Sequence, residues 1–200
     1  MKPQLHTLIC STRPGRIGGA IGAWAHEYAQ FHGGFESTLV DLQQFALPVF
    51  DEPDLPRHQS YRHAHTLAWS ASVEKADAFL FVTPEHNHFP PASLVNALSF
   101  LSREWNYKPV GFVSYGGVSG GMRGVEVTKQ LLTTFKAVPM VEGVIVPVAQ
   151  QYIGPGKVFN PNDLHQSSAL AMLDELLRWT EALSVLRRKP AGGPTRSLRA

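Results

Sequence analysis

The stretch Cys10-Ser-Thr-Arg-Pro-Gly-Arg-Ile-Gly18 separates two patterns of different period. The apolar run before it, residues 5–10, suits a buried strand. After it, Ile21, Trp24, Ala25, Tyr28 and Ala29 recur on one helical face. A strand, a glycine-containing loop and a helix aim loop N–H groups and the positive end of a helix dipole at one point. Ser11 adds a hydroxyl, and Arg13 and Arg16 add guanidinium forks that match phosphate oxygens. The stretch therefore reads either as a loop for a phosphate monoester or as a plain turn with two solvated arginines. The spacing of Gly15, Gly18 and Gly19 excludes the dinucleotide Gly-x-Gly-x-x-Gly. No Gly-Lys-Ser/Thr follows, which excludes a Walker A loop.

Working outward, the same alternation continues. His32-Gly33-Gly34 stops the first helix, and residues 35–41 read as a second strand. Residues 42–56 form a long connection of the kind that either rims a site or wraps a sheet edge, the second being expected. Residues 61–75 read as a helix that offers Leu67, Ala68, Ala71 and Val73 for burial. Asp77-Ala-Phe-Leu-Phe-Val-Thr83 is a continuous apolar run, suited to a parallel strand covered on both faces. A helix over 92–101, a strand over 109–115, a helix over 125–136 and a strand over 138–146 follow. Asp163 is expected to cap a final helix ending near Leu186, with a basic, mobile tail over 187–200. Five strands alternating with helices mean one α/β domain over 1–186, its mostly parallel sheet covered on both faces. In such a sheet ligands sit beyond the carboxyl ends of the strands. The loops after strands one, three and four share that edge, which strengthens the phosphate reading.

Composition bounds the function. Two hundred residues suit one domain, and 44% apolar with 17% charged residues is ordinary for a globular chain. A net charge of +2 is too small to argue for a nucleic-acid surface. A lone cysteine, Cys10, excludes an internal disulfide framework and reads as a small core residue. No apolar run approaches membrane-spanning length, and no signal peptide is read before the first strand, so the expected address is the cytoplasm.

The third-strand loop, Pro84-Glu-His-Asn-His-Phe-Pro-Pro91, admits a metal site at His86 and His88, a slot for a planar ring, or a simple proline-rich turn. The metal reading lacks a second ligand pair. His63 and His65, two apart on an expected helix, point to different faces and read as solvated. The prolines stiffen the loop, so that its backbone can meet the polar edge of a ring, with His86 or Phe89 stacked on it. The glycines over 116–121, after Ser114 and Tyr115, let main chain approach a ligand closely. A phosphate at one loop and a flat ring between two others describe a mononucleotide, and FMN fits best.

Three segments carry a resemblance. Residues 10–18 look like the Gly-Ser-x-Arg phosphate loop of the NAD(P)H-dependent FMN reductases, a flavodoxin-like family with quinone, chromate and azo reductases among its members. Pro84-Glu-His-Asn-His88 with Asn96-Ala-Leu98 resembles that family's Pro-Glu-Tyr-Asn signature and downstream Lys-Asn-Ala, and Ser114-Tyr-Gly-Gly117 resembles its third loop. The resemblance implies a three-layer flavodoxin-like sandwich with strand order 2-1-3-4-5. It implies that Ser11, Arg13 and the backbone of Arg16, Ile17 and Gly18 hold the FMN phosphate. Pro84, Glu85, His86 and Asn87 would line the ring, and Ser114, Tyr115, Gly116 and Gly117 would complete the slot. Cys10, His86, Phe89, Pro90 and Val95 depart from the family pattern, and Phe89 narrows the face where a nicotinamide would approach.

On that basis NADPH or NADH delivers hydride to the flavin, and a small acceptor such as a quinone, free flavin, azo compound or metal oxyanion then takes its place. No dedicated acid or base is required; His86 is a candidate modulator. The alternative is a non-enzymatic FMN electron carrier or redox sensor, which the slightly basic pI of about 8.8 disfavours. Arg13, Arg16 or Arg123 are candidates for a 2′-phosphate. Phe100 and Trp105 are read as an apolar surplus marking a homodimer or homotetramer, as the resemblance implies.

Overall fold

The run 77–83 that reads as doubly covered becomes, one residue later in the chain, the strand Ala78–Pro84, buried at every position and at the centre of a five-stranded parallel sheet. The structure is a computed structural model and describes residues 1–187. Strands β1 (Gln4–Ile9), β2 (Glu36–Asp41), β3 (Ala78–Pro84), β4 (Pro109–Tyr115) and β5 (Val138–Val146) stand in the order β2-β1-β3-β4-β5. Helices α1 (Gly18–His32), α2 (Ala64–Lys75), α3 (Ala92–Ser99), α4 (Met122–Thr134) and α5 (Asp163–Arg187) connect or follow them.

Side-chain alternation along each strand divides the interior in two. Phe79, Phe81 and Phe112 face α2, α3 and α4, where Trp69, Trp105, Leu94, Leu98 and Leu132 meet them. Ala78, Leu80, Val82 and Val113 face α1 and α5, against Ile21, Ala25, Met172 and Leu176. The aromatic side packs edge to face: Phe81 meets Phe112 at 90° and Trp105 at 86°. The Trp69 indole N–H donates to the Ala97 carbonyl at 2.9 Å, tying α2 to α3.

Several expectations need correction. Phe100 and Trp105 are fully buried, so they complete this core and mark no interface. Helix α2 starts at Ala64 and buries Thr66, Trp69 and Val73, whereas Leu67, Ala68 and Ala71 face solvent. The 66/69/73 spacing is the true apolar stripe, with a threonine filling the place expected of an aliphatic residue. The cap of α5 is Asn162: its Oδ1 accepts the His165 N–H at 2.9 Å, while its own N–H donates to His165 Nδ1 at 3.2 Å. Arg187 is the last residue of α5, and its guanidinium donates to the Tyr107 carbonyl and the Asp77 carboxylate. The rest of the expected basic tail, 188–200, lies outside the described residues.

His63 and His65 are also brought together. His63 precedes α2 in extended backbone, so the two rings stack 5.2 Å apart and both reach Asp51.

Candidate functional site

Register places the strand ends that matter side by side. Ile9 pairs with Val82 and Pro84 with Tyr115, so the loops leaving β1, β3 and β4 emerge along one edge. The chain runs from β1 outward to β2 and then returns to β3 on the other side, which opens a crevice between the first and third loops.

The first loop is a series of tight local structures. The buried Ser11 hydroxyl accepts the Arg13 N–H at 3.3 Å. Arg13-Pro-Gly-Arg16 closes a turn with the Arg16 N–H donating to the Arg13 carbonyl at 3.2 Å. Gly15 takes φ 74° at the third position, which glycine adopts without steric cost. Ile17 then enters α1 with no side chain capping it. The N–H groups of Ile17 and Gly18 have no partner among the described residues.

The third loop is a two-residue hairpin. His86 and Phe89 exchange both backbone hydrogen bonds, at 2.8 and 3.0 Å, with Asn87 and His88 at the tip in left-handed backbone (φ 53° and 65°). This is the primed turn that short hairpins favour, and Asn87 suits its first position. Glu85, just before, holds the neighbouring loop: it accepts from the Ser119 hydroxyl at 2.9 Å, the Arg123 N–H at 3.1 Å and the Arg123 guanidinium at 3.3 Å. Burial alone would raise its carboxyl, but these bonds more than offset that and hold it below the ordinary range.

Two cavities meet at this edge. The smaller, about 600 Å³, is lined by Ser11, Arg13, Arg16 and Ile17 from the first loop and Pro84, Glu85, His86 and Asn87 from the third. Tyr115 and Gly116 complete it, together with Ala149 and Gln150, which sequence reading missed. Those two arrive because the Ala149 N–H donates to the Gly116 carbonyl and the Val148 N–H to that of Gly117, a pairing no local motif signals. The larger cavity, about 1180 Å³, opens from the same His86–Asn87 turn toward α3 and residues 42–50. The long connection therefore rims a site, contrary to expectation. Asn96 explains why: its amide donates to the Pro48 carbonyl at 2.6 Å and its Oδ1 accepts the Phe50 N–H at 3.0 Å.

Some expected site residues sit elsewhere. Ser114 points to the α4 side of the sheet, because alternation with Tyr115 sends it to the opposite face. Gly117 is exposed and outside the lining. Gly18 lies beneath the loop, where an added Cβ would sit 2.3 Å from the Tyr115 hydroxyl. Tyr115 is buried, its Oη has no partner, and burial holds the phenol protonated well above the usual range. The Arg16 guanidinium pairs with Asp41 and Gln43, and that of Arg123 with Glu85. Of the three arginines, Arg13 alone has no carboxylate partner among the described residues. No group of three or more His, Cys, Asp or Glu among those residues is placed to share a metal.

The donor set fits an anion. An open N–H at Ile17 and an Arg13 without a carboxylate partner line a space where a phosphate would find donors, and the one carboxylate in its lining, Glu85, is ion-paired with Arg123. The charge-bearing end joins an uncharged cleft at one turn, as a phosphate-tailed planar cofactor such as FMN requires.

Comparison with known proteins agrees. Over 149 residues the chain is 33% identical to the NAD(P)H-dependent FMN reductase LOT6 of Saccharomyces cerevisiae, covering 71% of this chain and 77% of that one. It is 40% identical over 121 residues to an NAD(P)H-dependent FMN reductase of Schizosaccharomyces pombe, 60% of each chain. Among solved structures, the flavoenzyme NAD(P)H:(acceptor) oxidoreductase FerB of Paracoccus denitrificans superposes with a TM-score of 0.71 at 17% identity, over 90% of this chain and 98% of that one. A Streptococcus pneumoniae flavodoxin superposes at 0.52 with 11% identity, over 90% and 98% of the two chains. Residues 3–151 match the family described as NADPH-dependent FMN reductase, and the chain belongs to that family.

Proposed function

We propose that the protein is an FMN-dependent NAD(P)H oxidoreductase that passes reducing equivalents to a small acceptor of the quinone type. The observation that carries this reading is the junction of an anion-binding loop with a broad uncharged cleft at the His86–Asn87 turn. When bound, FMN supplies the hydride-accepting and hydride-donating ring. The chain's residues hold and orient it. Ser11, Arg13 and the N–H of Ile17 would take the phosphate. Pro84 to Asn87 form a stiff main-chain shelf for the ring, and Gly116 gives close approach on the far side. No side chain is asked to act as acid or base; His86 lines both cavities, where it would border the ring.

The reading extends to a homodimer or homotetramer, supported by apolar rim residues left open in the single chain: Val49 is 87% and Phe89 53% exposed. It extends to a reducing cytoplasm, with which a chain carrying a single, buried cysteine, Cys10, is compatible. No helix among the described residues is long and apolar enough to cross a membrane.

An absorbance spectrum with added FMN, repeated after anaerobic NADPH, tests the core of this. Flavin bands that bleach with NADPH are expected. Bands that bind but persist would favour a carrier or sensor, and absence of binding would overturn the reading.

A further inference from the structure

The strap that follows β5 is held in a conformation its sequence does not favour. Val148 takes φ 46° and ψ 46°, the left-handed region that a β-branched residue avoids. Its side chain is 41% exposed and gains little from the choice. Backbone pairing imposes it. The Gly116 N–H donates to the Val146 carbonyl at 3.3 Å, the Val148 N–H to the Gly117 carbonyl at 2.8 Å and the Ala149 N–H to the Gly116 carbonyl at 3.0 Å. Pairing between the β4 and β5 segments thus runs on past both strands. Backbone strain persists only where its surroundings enforce it, and it clusters at ligand sites. What the strained strap delivers to the small cavity is Gln150.

Most polar groups around that cavity are already spent. Arg16 is paired with Asp41 and Gln43, and Glu85 with Arg123 and Ser119. Gly116 has given both backbone groups to the strap. Arg13 remains for a phosphate, while His86 and Asn87 stand at the turn shared with the larger cleft. Gln150 lines the small cavity only, as an exposed and uncharged carboxamide. A carboxamide donates and accepts, which matches a hydroxyl, whereas a guanidinium is the stronger partner for a phosphate. At about 600 Å³ the cavity also has room well beyond a phosphate.

We infer that Gln150 is a cofactor-binding residue that takes the hydroxyl-bearing chain between the phosphate and the ring of FMN. The contact comes from the strap after β5, outside the three loops that the sequence marks. It rests on the FMN-dependent reading above.

Two probes separate the chain of the cofactor from its ends. One is FMN. The other is 7,8-dimethyl-10-(5-phosphopentyl)isoalloxazine, which keeps the ring and the phosphate but lacks the chain hydroxyls. Each is titrated into the full-length protein freed of flavin, and binding is read from quenching of flavin fluorescence. The unaltered protein should bind FMN at least about fivefold more tightly than the analogue. Gln150→Ala should weaken FMN about fivefold, the effect of one net hydrogen bond, and leave the analogue within about twofold. Arg13→Ala should weaken both probes by the same factor. Gln151→Ala, at the exposed next position, should change neither. Equal weakening of both probes by Gln150→Ala would put the residue on the ring or the phosphate and overturn the inference. FMN affinity unchanged in Gln150→Ala would overturn it as well, as would equal affinity of the unaltered protein for the two probes. An unaltered protein that binds neither probe would instead sink the FMN reading beneath it.

Discussion

Gly18 is confined to glycine by one atom, the Tyr115 hydroxyl, 2.3 Å from where its Cβ would stand; Gly19 has nothing within 4 Å. Gly18→Ala should therefore cost about 1–3 kcal/mol and weaken FMN binding, as overpacked sites do. Gly19→Ala should be neutral or stabilise by up to about 1 kcal/mol. Adding Tyr115→Phe to Gly18→Ala removes the clashing oxygen and should recover part of the loss; urea titration and FMN titration of the set would refute this if the two glycines behave alike. His6 makes a second point at this scale. Burial first, then Lys108 and Lys75, lowers its pKa from 6.5 to about 4. The unfolded chain then binds the extra proton between those values, so this stabilisation is complete above pH 6.5 and is lost as pH falls through about 4. His6→Leu should flatten the change in urea midpoint between about pH 7 and about pH 5. Glu52 and Glu85 share the sign but act lower, since both carboxyls lie below their ordinary range.

Among the elements, α5 carries the clearest separation of neighbours. Asn162 exchanges two hydrogen bonds with His165, satisfying an N–H of the first helical turn. Asn162→Ala should lower stability by about 1 kcal/mol. Asp163→Ala, which removes only a favourable charge from the first turn, should cost less, about 0.3–1 kcal/mol. Equal effects in thermal unfolding would return the cap to Asp163. Helix α2 is held differently: its entry depends on Glu52, a residue from the preceding connection, so its start and the cleft wall are one construction.

For the whole molecule, the central consequence is that the aromatic surplus on α3 and after it belongs to the interior. Phe50 and His65 meet the Phe100 ring edge-on, and Trp105 packs against Phe79 and Trp69. Phe100→Ala should therefore cost about 3–5 kcal/mol of stability while leaving the sedimentation coefficient of the folded protein unchanged. A change of oligomeric state at unaltered stability would restore the interface reading. Any contact between copies must instead use the faces left open, among them the cleft rim at Val49 and Phe89.

Much of this was legible in the chain itself. Period and punctuation are local properties, so the five strands, their helices and the loop at Ser11 follow from neighbours in sequence, and β4 and β5 fall on the expected residues. The carboxyl-edge site follows too, because parallel strands send alternate loops to one side. What a side chain finally touches is a long-range property. Arg16 is drawn to Asp41, Arg123 to Glu85 and Asn96 to residues 48 and 50, across separations of 25 to 48 residues that no pattern records. Tertiary structure alone therefore decided which arginine stays unpaired, that the long connection becomes a wall, and that Phe100 goes inward. The physical reason is that backbone preference is set by adjacent residues, whereas pairing of charge and burial of aromatics are settled only when distant segments compete for the same space.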